Sequence, residues 1–202
     1  MATASAIPFL GLTGAVAAGK SEALAALDRL GAETLSADAV VHDLLSSERV
    51  RDLLVGRWGE QVAPAGVVDR GRVARIVFEQ PDELAWLESA VHPLVAERIA
   101  AWRAELPDET RVAVVEVPLL FETGLEHAFD ATLAIVADDE LRAQRAGARG
   151  ISDLEGRSRR QLSQGEKARR ATHVVANDGS VEELEAALAE VLARIEGGGG
   201  AP

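Results

Sequence analysis

The residues with the clearest chemical content are Gly14, Ala15, Val16, Ala17, Ala18, Gly19, Lys20 and Ser21. They fit G-x-x-x-x-G-K-[ST] at every fixed position, and they lie between a short apolar run at 7–13 and a run of strong helix formers at 20–30. In such a turn the backbone N–H groups converge on phosphate oxygens, and the helix N-terminus adds positive potential. Lys20 is placed to reach the β- and γ-phosphates of a nucleoside triphosphate, and the Ser21 hydroxyl to ligate the accompanying Mg²⁺. Glu22 extends the loop into the first turn of the helix. These residues speak for a triphosphate such as ATP and leave the acceptor open.

Transfer of a phosphoryl group needs positioning and charge neutralisation more than covalent chemistry. Asp38 lies just past a second short strand at 32–36, and in this architecture that strand is expected beside the phosphate loop. The residue is a candidate to orient an acceptor hydroxyl and take its proton late, or to cap the following helix. Glu116 ends an apolar strand at 111–118 and is either an outer ligand of Mg²⁺ or an ordinary strand-end acid. Residues 141–170 hold nine Arg or Lys, among them Arg142, Arg145 and Arg149, against three acids. Arginine suits a lid over phosphates, because its planar fork grips oxygens and stays charged.

The elements that must carry these groups alternate along the chain. Apolar strands are expected at 7–13, 32–36, 111–118, 131–137 and 172–177, with helices between them. Such a pattern implies a parallel five-stranded sheet flanked by helices, with right-handed crossovers and ligands at the carboxyl ends of the strands. Residues 38–105 read as mostly helical, with Pro81 opening a long helix; 139–149 and 152–170 read as arginine-rich helices. Ser180 and Glu183 form a capping box before the amphipathic run 180–196, and 197–202 is a glycine-rich tail. Trp58, Trp86 and Trp102 fall in helical patterns as packing residues.

The 202 residues suffice for one compact unit of ordinary size, and 48% of them are hydrophobic but only 3% aromatic. A net charge of −12 argues against a general nucleic-acid binder. Cysteine is absent, which fits a reducing cytoplasm. Neither a signal peptide nor an apolar run of membrane-spanning length is visible, and nothing points to an obligate protein partner. GTPases are excluded by the lack of N-K-x-D. The run Gln161 to Lys167, QLSQGEK, imitates the signature of ABC-type ATPases, but the strand that should follow it, THVVANDGS, lacks the Asp-Glu pair.

The ordered series of peptides resembles the dephospho-coenzyme A kinase family from about Phe9 to Leu184. Leu12 to Ser21 is similar to the family's opening, and Ser36-Ala37-Asp38 to its Asp-Ala-Asp. Trp58-Gly59, Asp69-Arg70, Val77-Phe78 and Leu87 to Pro93 fall where the family has related pairs and Leu-Glu-x-x-x-His-Pro. Val117 to Glu122 matches its most distinctive peptide, and Arg145, Arg149, Gln161 and Asn177 take its later positions. The resemblance implies phosphorylation of the ribose 3′-hydroxyl of dephospho-coenzyme A by ATP with Mg²⁺, the last step of coenzyme A biosynthesis. It further implies a P-loop kinase core at about 6–37, 109–138 and 171–196, a helical substrate insertion at about 38–108, and a lid at about 139–170. Catalytic duty would fall on Lys20, Asp38 and Arg145, nucleotide contact on 14–22 and Arg149, and acceptor contact on Asp38, His92, Leu119 and Glu122. His92-Pro93 is alternatively structural, with Pro93 restarting a helix. Another small-molecule or nucleoside monophosphate kinase, or a nucleotide-binding regulator, shares part of this pattern.

Departures from the family pattern fall both in the loop and beyond it. Ala17-Ala18 stands where the family usually has Gly-Ser or Gly-Ala, so a Cβ must fit there, and alanine resists positive φ. Ser36 replaces the first aspartate of Asp-Ala-Asp, and His42 stands where arginine is frequent.

Overall fold

A computed structural model describes residues 7–148, 150 and 161–197. Arg149, the stretch 151–160 and the tail after Gly197 lie outside the described residues, so the expectations for Arg149 and for most of a helix at 152–170 fall there.

Five strands form one parallel sheet: β1 (Phe9–Gly14), β2 (Glu33–Ser36), β3 (Ala113–Glu116), β4 (Ala131–Val136) and β5 (His173–Ala176). Their order is β2-β3-β1-β4-β5. β1 is buried at every residue, as the unbroken run FLGLTG requires of a strand covered on both faces. It pairs with β3 through Leu12 opposite Glu116, and with β4 through Gly14 opposite Ile135. β2 does not touch β1, since β3 lies between them, and this corrects the expectation that the second strand neighbours the phosphate loop.

Eight helices are described: α1 (Lys20–Arg29), α2 (Ala37–Leu45), α3 (Glu48–Trp58), α4 (Arg70–Glu79), α5 (Pro81–Ala104), α6 (Asp139–Ala148), α7 (Gln164–Arg170) and α8 (Val181–Glu196). α1 and α8 pack on the sheet through Ala23, Ala26, Leu27, Leu184, Leu188, Val191 and Leu192, which share one core with Leu10, Leu12, Val114, Leu133 and Ile135. Local signals start these helices. The Ser180 hydroxyl accepts from Glu183 N while the Glu183 carboxylate accepts from Ser180 N, the reciprocal box expected from the sequence. Ser163 caps α7 by accepting from Glu166 N.

The chain divides into two compact units, residues 1–36 with 106–202, and residues 37–105. The second is all helical. Its core is built from Val50, Leu54, Val62, Val73 and Leu94, with Trp58 and Trp86 packed edge-on at 5.1 Å against it. Trp58 Nε1 donates to Glu83 at 2.8 Å, and Arg57 grips the same carboxylate with two bonds of 2.9 and 2.8 Å. Those partners hold Glu83 below the usual carboxylate range, Arg57 contributing most. α5 runs through Pro93 without a break, so Pro93 does not restart a helix.

Candidate active site

The phosphate loop leaves β1 at Gly14 and enters α1 at Lys20. Gly14 cannot carry a side chain here, because a Cβ would sit 2.5 Å from the carbonyl oxygen of Ile135 on β4. Gly19 is required twice over: its φ is +99°, and a Cβ would lie 2.0 Å from Asn177 Nδ2. Ala17 also has positive φ, 63°, although its neighbours Val16 and Ala18 do not. The loop therefore does take the left-handed conformation that alanine resists, at a cost of roughly 1–2 kcal/mol. The methyl group of Ala17 is buried there.

Inside the loop Ala18 N donates to Ala15 O at 3.2 Å, and Lys20 Nζ donates to the same carbonyl at 3.3 Å. Lys20 is half-buried, with its ammonium on the loop backbone where a triphosphate would be bound. Gly19 supplies no side-chain cap to α1. Ser21 is exposed and follows directly.

Groups distant in sequence hold the loop from outside. Asn177, just beyond β5, donates through Nδ2 to Ala18 O at 2.9 Å and is itself buried. Arg145 donates to Asn177 O at 2.9 Å. Arg142 donates through Nε to Val16 O at 3.1 Å and through a terminal nitrogen to Asp139 at 2.7 Å. Gln164 reaches the same Asp139 oxygen at 3.0 Å and accepts from Ala137 N at 3.2 Å. The peptide that imitates an ABC signature is thus a structural tie between α6, α7 and the end of β4.

Lys167 is the largest fully buried side chain among the described residues. Its ammonium donates to Thr13 Oγ1 at 3.3 Å, to Pro118 O at 2.5 Å and to the Glu122 carboxylate at 3.0 Å. All three protons are used. Burial pushes its pKa down from the ordinary value, and the bond to Glu122 opposes that shift. Glu122 further accepts from Leu162 N at 2.7 Å. Both carboxylate oxygens are engaged, and Glu122 anchors the segment entering α7 to the turn after β3.

Glu116 is buried at the end of β3 and accepts from Ser36 Oγ at 2.9 Å across the β2–β3 pair. Asp38 is exposed at the second position of α2. It stands inside the helix and not before it, so the capping alternative does not apply. His92 is exposed midway along α5, and Leu119 is half-buried in the turn after β3. Glu22 pairs with Arg29, which also pairs with Glu185. His42 is bonded to Arg70 within the helical unit.

Sequence reasoning singled out Lys20, Ser21, Arg145 and the loop glycines, and all except Ser21 lie within the bonding and packing just described. It did not single out Arg142 or Lys167, whose only signal was membership of a basic run. Among the described residues no group of three or more His, Cys, Asp or Glu side chains could hold a metal, and no helix is long and apolar enough to cross a membrane. A divalent ion held mostly by phosphates and water, with Ser21 as its one protein ligand, fits that donor set.

The family model for dephospho-CoA kinase matches residues 8–183. A dephospho-CoA kinase from Deinococcus radiodurans is 40% identical over 191 residues, covering 93% of this chain and 92% of that protein. Among solved structures, TT1252 from Thermus thermophilus aligns with TM-score 0.83 and 36% identity over 95% of this chain and 99% of its own. A dephospho-CoA kinase from Campylobacter jejuni aligns with TM-score 0.70 and 25% identity over 94% and 98%. With the phosphate loop built on a parallel five-stranded sheet and the match running through nearly the whole chain, the protein belongs to the dephospho-CoA kinase family.

Proposed function

We propose that the protein transfers the γ-phosphate of ATP to the ribose 3′-hydroxyl of dephospho-coenzyme A, giving ADP and coenzyme A in the cytoplasm. The observation that carries this reading is the phosphate loop, with Lys20 folded onto it and the first amides of α1 left without a side-chain cap, in a chain of this family. Lys20 neutralises charge on the β- and γ-phosphates. Ser21 holds Mg²⁺, and the ion supplies charge neutralisation between phosphate oxygens. Arg145, at the side of the loop, grips the transferring phosphoryl, and Arg149 adds to nucleotide binding. Asp38 orients the acceptor hydroxyl and takes its proton late, while His92 and Leu119 contribute to the acceptor site.

ADP release measured with dephospho-coenzyme A, AMP, CMP, adenosine and shikimate tests the reading directly. Dephospho-coenzyme A should be preferred, with the product phosphate on the 3′-oxygen. Release that no acceptor accelerates would overturn it, and preference for AMP or CMP would favour a nucleoside monophosphate kinase. Asp38→Asn should lower kcat by ~10²–10⁴-fold with little change in ATP affinity.

A further inference from the structure

We propose that Arg142 and Asn177 are positioning residues that aim the amides of the phosphate loop by holding its carbonyls from behind. The inference rests on the reading of 14–21 as a triphosphate-binding loop. Neither residue need touch the ligand.

In a planar trans peptide the C=O of one residue and the N–H of the next point in opposite directions, and the described chain has no cis peptide. Asn177 Nδ2 holds Ala18 O at 2.9 Å, which turns Gly19 N–H away from Asn177. Arg142 Nε holds Val16 O at 3.1 Å, which turns Ala17 N–H away from α6. Both donors lie outside the loop, so both amides face its other side, where phosphate oxygens are bound in loops of this kind. The two peptides flank the two left-handed residues, Ala17 at φ 63° and Gly19 at φ 99°. At Ala17 the left-handed conformation is strained and at Gly19 no side chain restricts the backbone, so at both positions an outside bond helps to fix the peptide.

The holders are themselves fixed. Arg142 is braced by Asp139, which Gln164 also reaches, and its side chain is only 13% exposed. Asn177 is buried, bonds Val136 O through its own N–H, and receives Arg145 on its carbonyl. Its amide packs so tightly on Gly19 that a Cβ there would overlap it. An arginine fork suits this task, because one nitrogen binds the loop while another binds the brace.

The test is binding of Mg²⁺ with ATP, and of Mg²⁺ with inorganic tripolyphosphate, by calorimetry to the wild-type protein, Arg142→Met and Asn177→Asp. Arg142→Met keeps the aliphatic stem and removes the donor. Asn177→Asp keeps the size and places an acceptor against Ala18 O. Both variants should lose affinity for ATP and for tripolyphosphate by the same factor, on the order of tenfold, the worth of about one hydrogen bond. The amide resonances of Ala17 and Gly19 should move in the ligand-free variants while those of α8 stay put. Unchanged affinity in both variants overturns the proposal. Loss confined to ATP also overturns it, since the residues would then serve the nucleoside. If Arg142→Met does not fold, Asn177→Asp carries the comparison alone. A wild-type protein that binds neither ATP nor tripolyphosphate refutes the loop reading itself, a result distinct from either failure of the variants.

Discussion

The buried pair of Lys167 and Glu122 offers a sharp perturbation, because its two halves should fail differently. Lys167 is fully buried, and Glu122 is 13% exposed. Removing one partner of such a pair costs about 3–5 kcal/mol. Lys167→Met leaves the carboxylate near the surface with Leu162 N still donating, so its cost belongs at the lower end, near 3 kcal/mol. Glu122→Gln leaves an ammonium facing only two neutral acceptors, Thr13 Oγ1 and Pro118 O, besides the new amide. That cost has a ceiling. The lysine can shed its proton, and at pH 7 doing so from an ordinary value of 10.5 costs about 5 kcal/mol.

The ceiling moves with pH, and its sign follows from linkage. Burial already lowers the folded-state value of Lys167, and losing Glu122 lowers it further. Between the folded and the unfolded values the unfolded chain binds more protons, so stability rises as pH rises. The ceiling falls by about 1.4 kcal/mol per pH unit. Glu122→Gln should therefore regain up to ~2.7 kcal/mol relative to wild type between pH 7 and pH 9, whereas Lys167→Met has nothing to titrate there and should stay flat. Denaturant unfolding of wild type, both single variants and the double variant at the two pH values gives the comparison. The double variant should be less impaired than the sum of the singles. A Glu122→Gln protein within about 1 kcal/mol of wild type at pH 7, or one whose deficit does not change with pH, refutes this account of the pair. A raised KM for dephospho-coenzyme A in the same protein would place Glu122 at the acceptor site as well.

The proposed role of Lys20 on ligand charge predicts that Lys20→Ala loses more than about 90% of kcat while the protein stays folded. Ala17→Gly should stabilise the fold by about 0.5–1 kcal/mol in denaturant unfolding, because relief of left-handed strain exceeds the added freedom of the unfolded chain. Gly19→Ala should abolish nucleotide binding, as both its φ and the Asn177 amide forbid the methyl group; normal ATP affinity in that variant would show that the loop is not held as described. Burial, with Arg194 adding to it, lowers the pKa of His173, so its neutral form supports the fold and stability should fall as pH drops below about 6.5. His173→Gln should flatten that part of the profile.

What the sequence revealed were features whose causes lie within a few residues. The phosphate loop is legible because strand, turn and helix are contiguous, and the capping box because Ser180 and Glu183 are three apart. The parallel sheet is legible because its strands are apolar throughout and separated by helical runs. Strand order was not, since β3 inserts between β1 and β2 from far along the chain, and nothing local in 111–118 marks that choice. Lys167 was hidden for the same reason. Its partners lie 154, 49 and 45 residues away, and a lysine in a basic run looks like a solvated one until those partners are known.

Ala17 shows how a local rule can fail without the fold failing. Alanine at that position argues for negative φ, yet the loop adopts +63°. The strain of roughly 1–2 kcal/mol is comparable to the net worth of one hydrogen bond from a charged donor, about 1.5–3 kcal/mol. Arg142 supplies such a bond to the peptide immediately before Ala17, and Asn177 a neutral one to the peptide after Ala18. The two effects therefore nearly balance, and the loop keeps its shape because groups 126 and 159 residues away hold it. A loop with glycine at 17 would reach the same conformation with less help and would lose more freedom when a ligand binds. In this chain much of that ordering is already done by α6 and the segment after β5 before any phosphate arrives. Affinity for the triphosphate is thus coupled to how α6 and α7 are packed, through Asp139 and Gln164, and substitutions at those two positions should act on nucleotide binding without lying in the site.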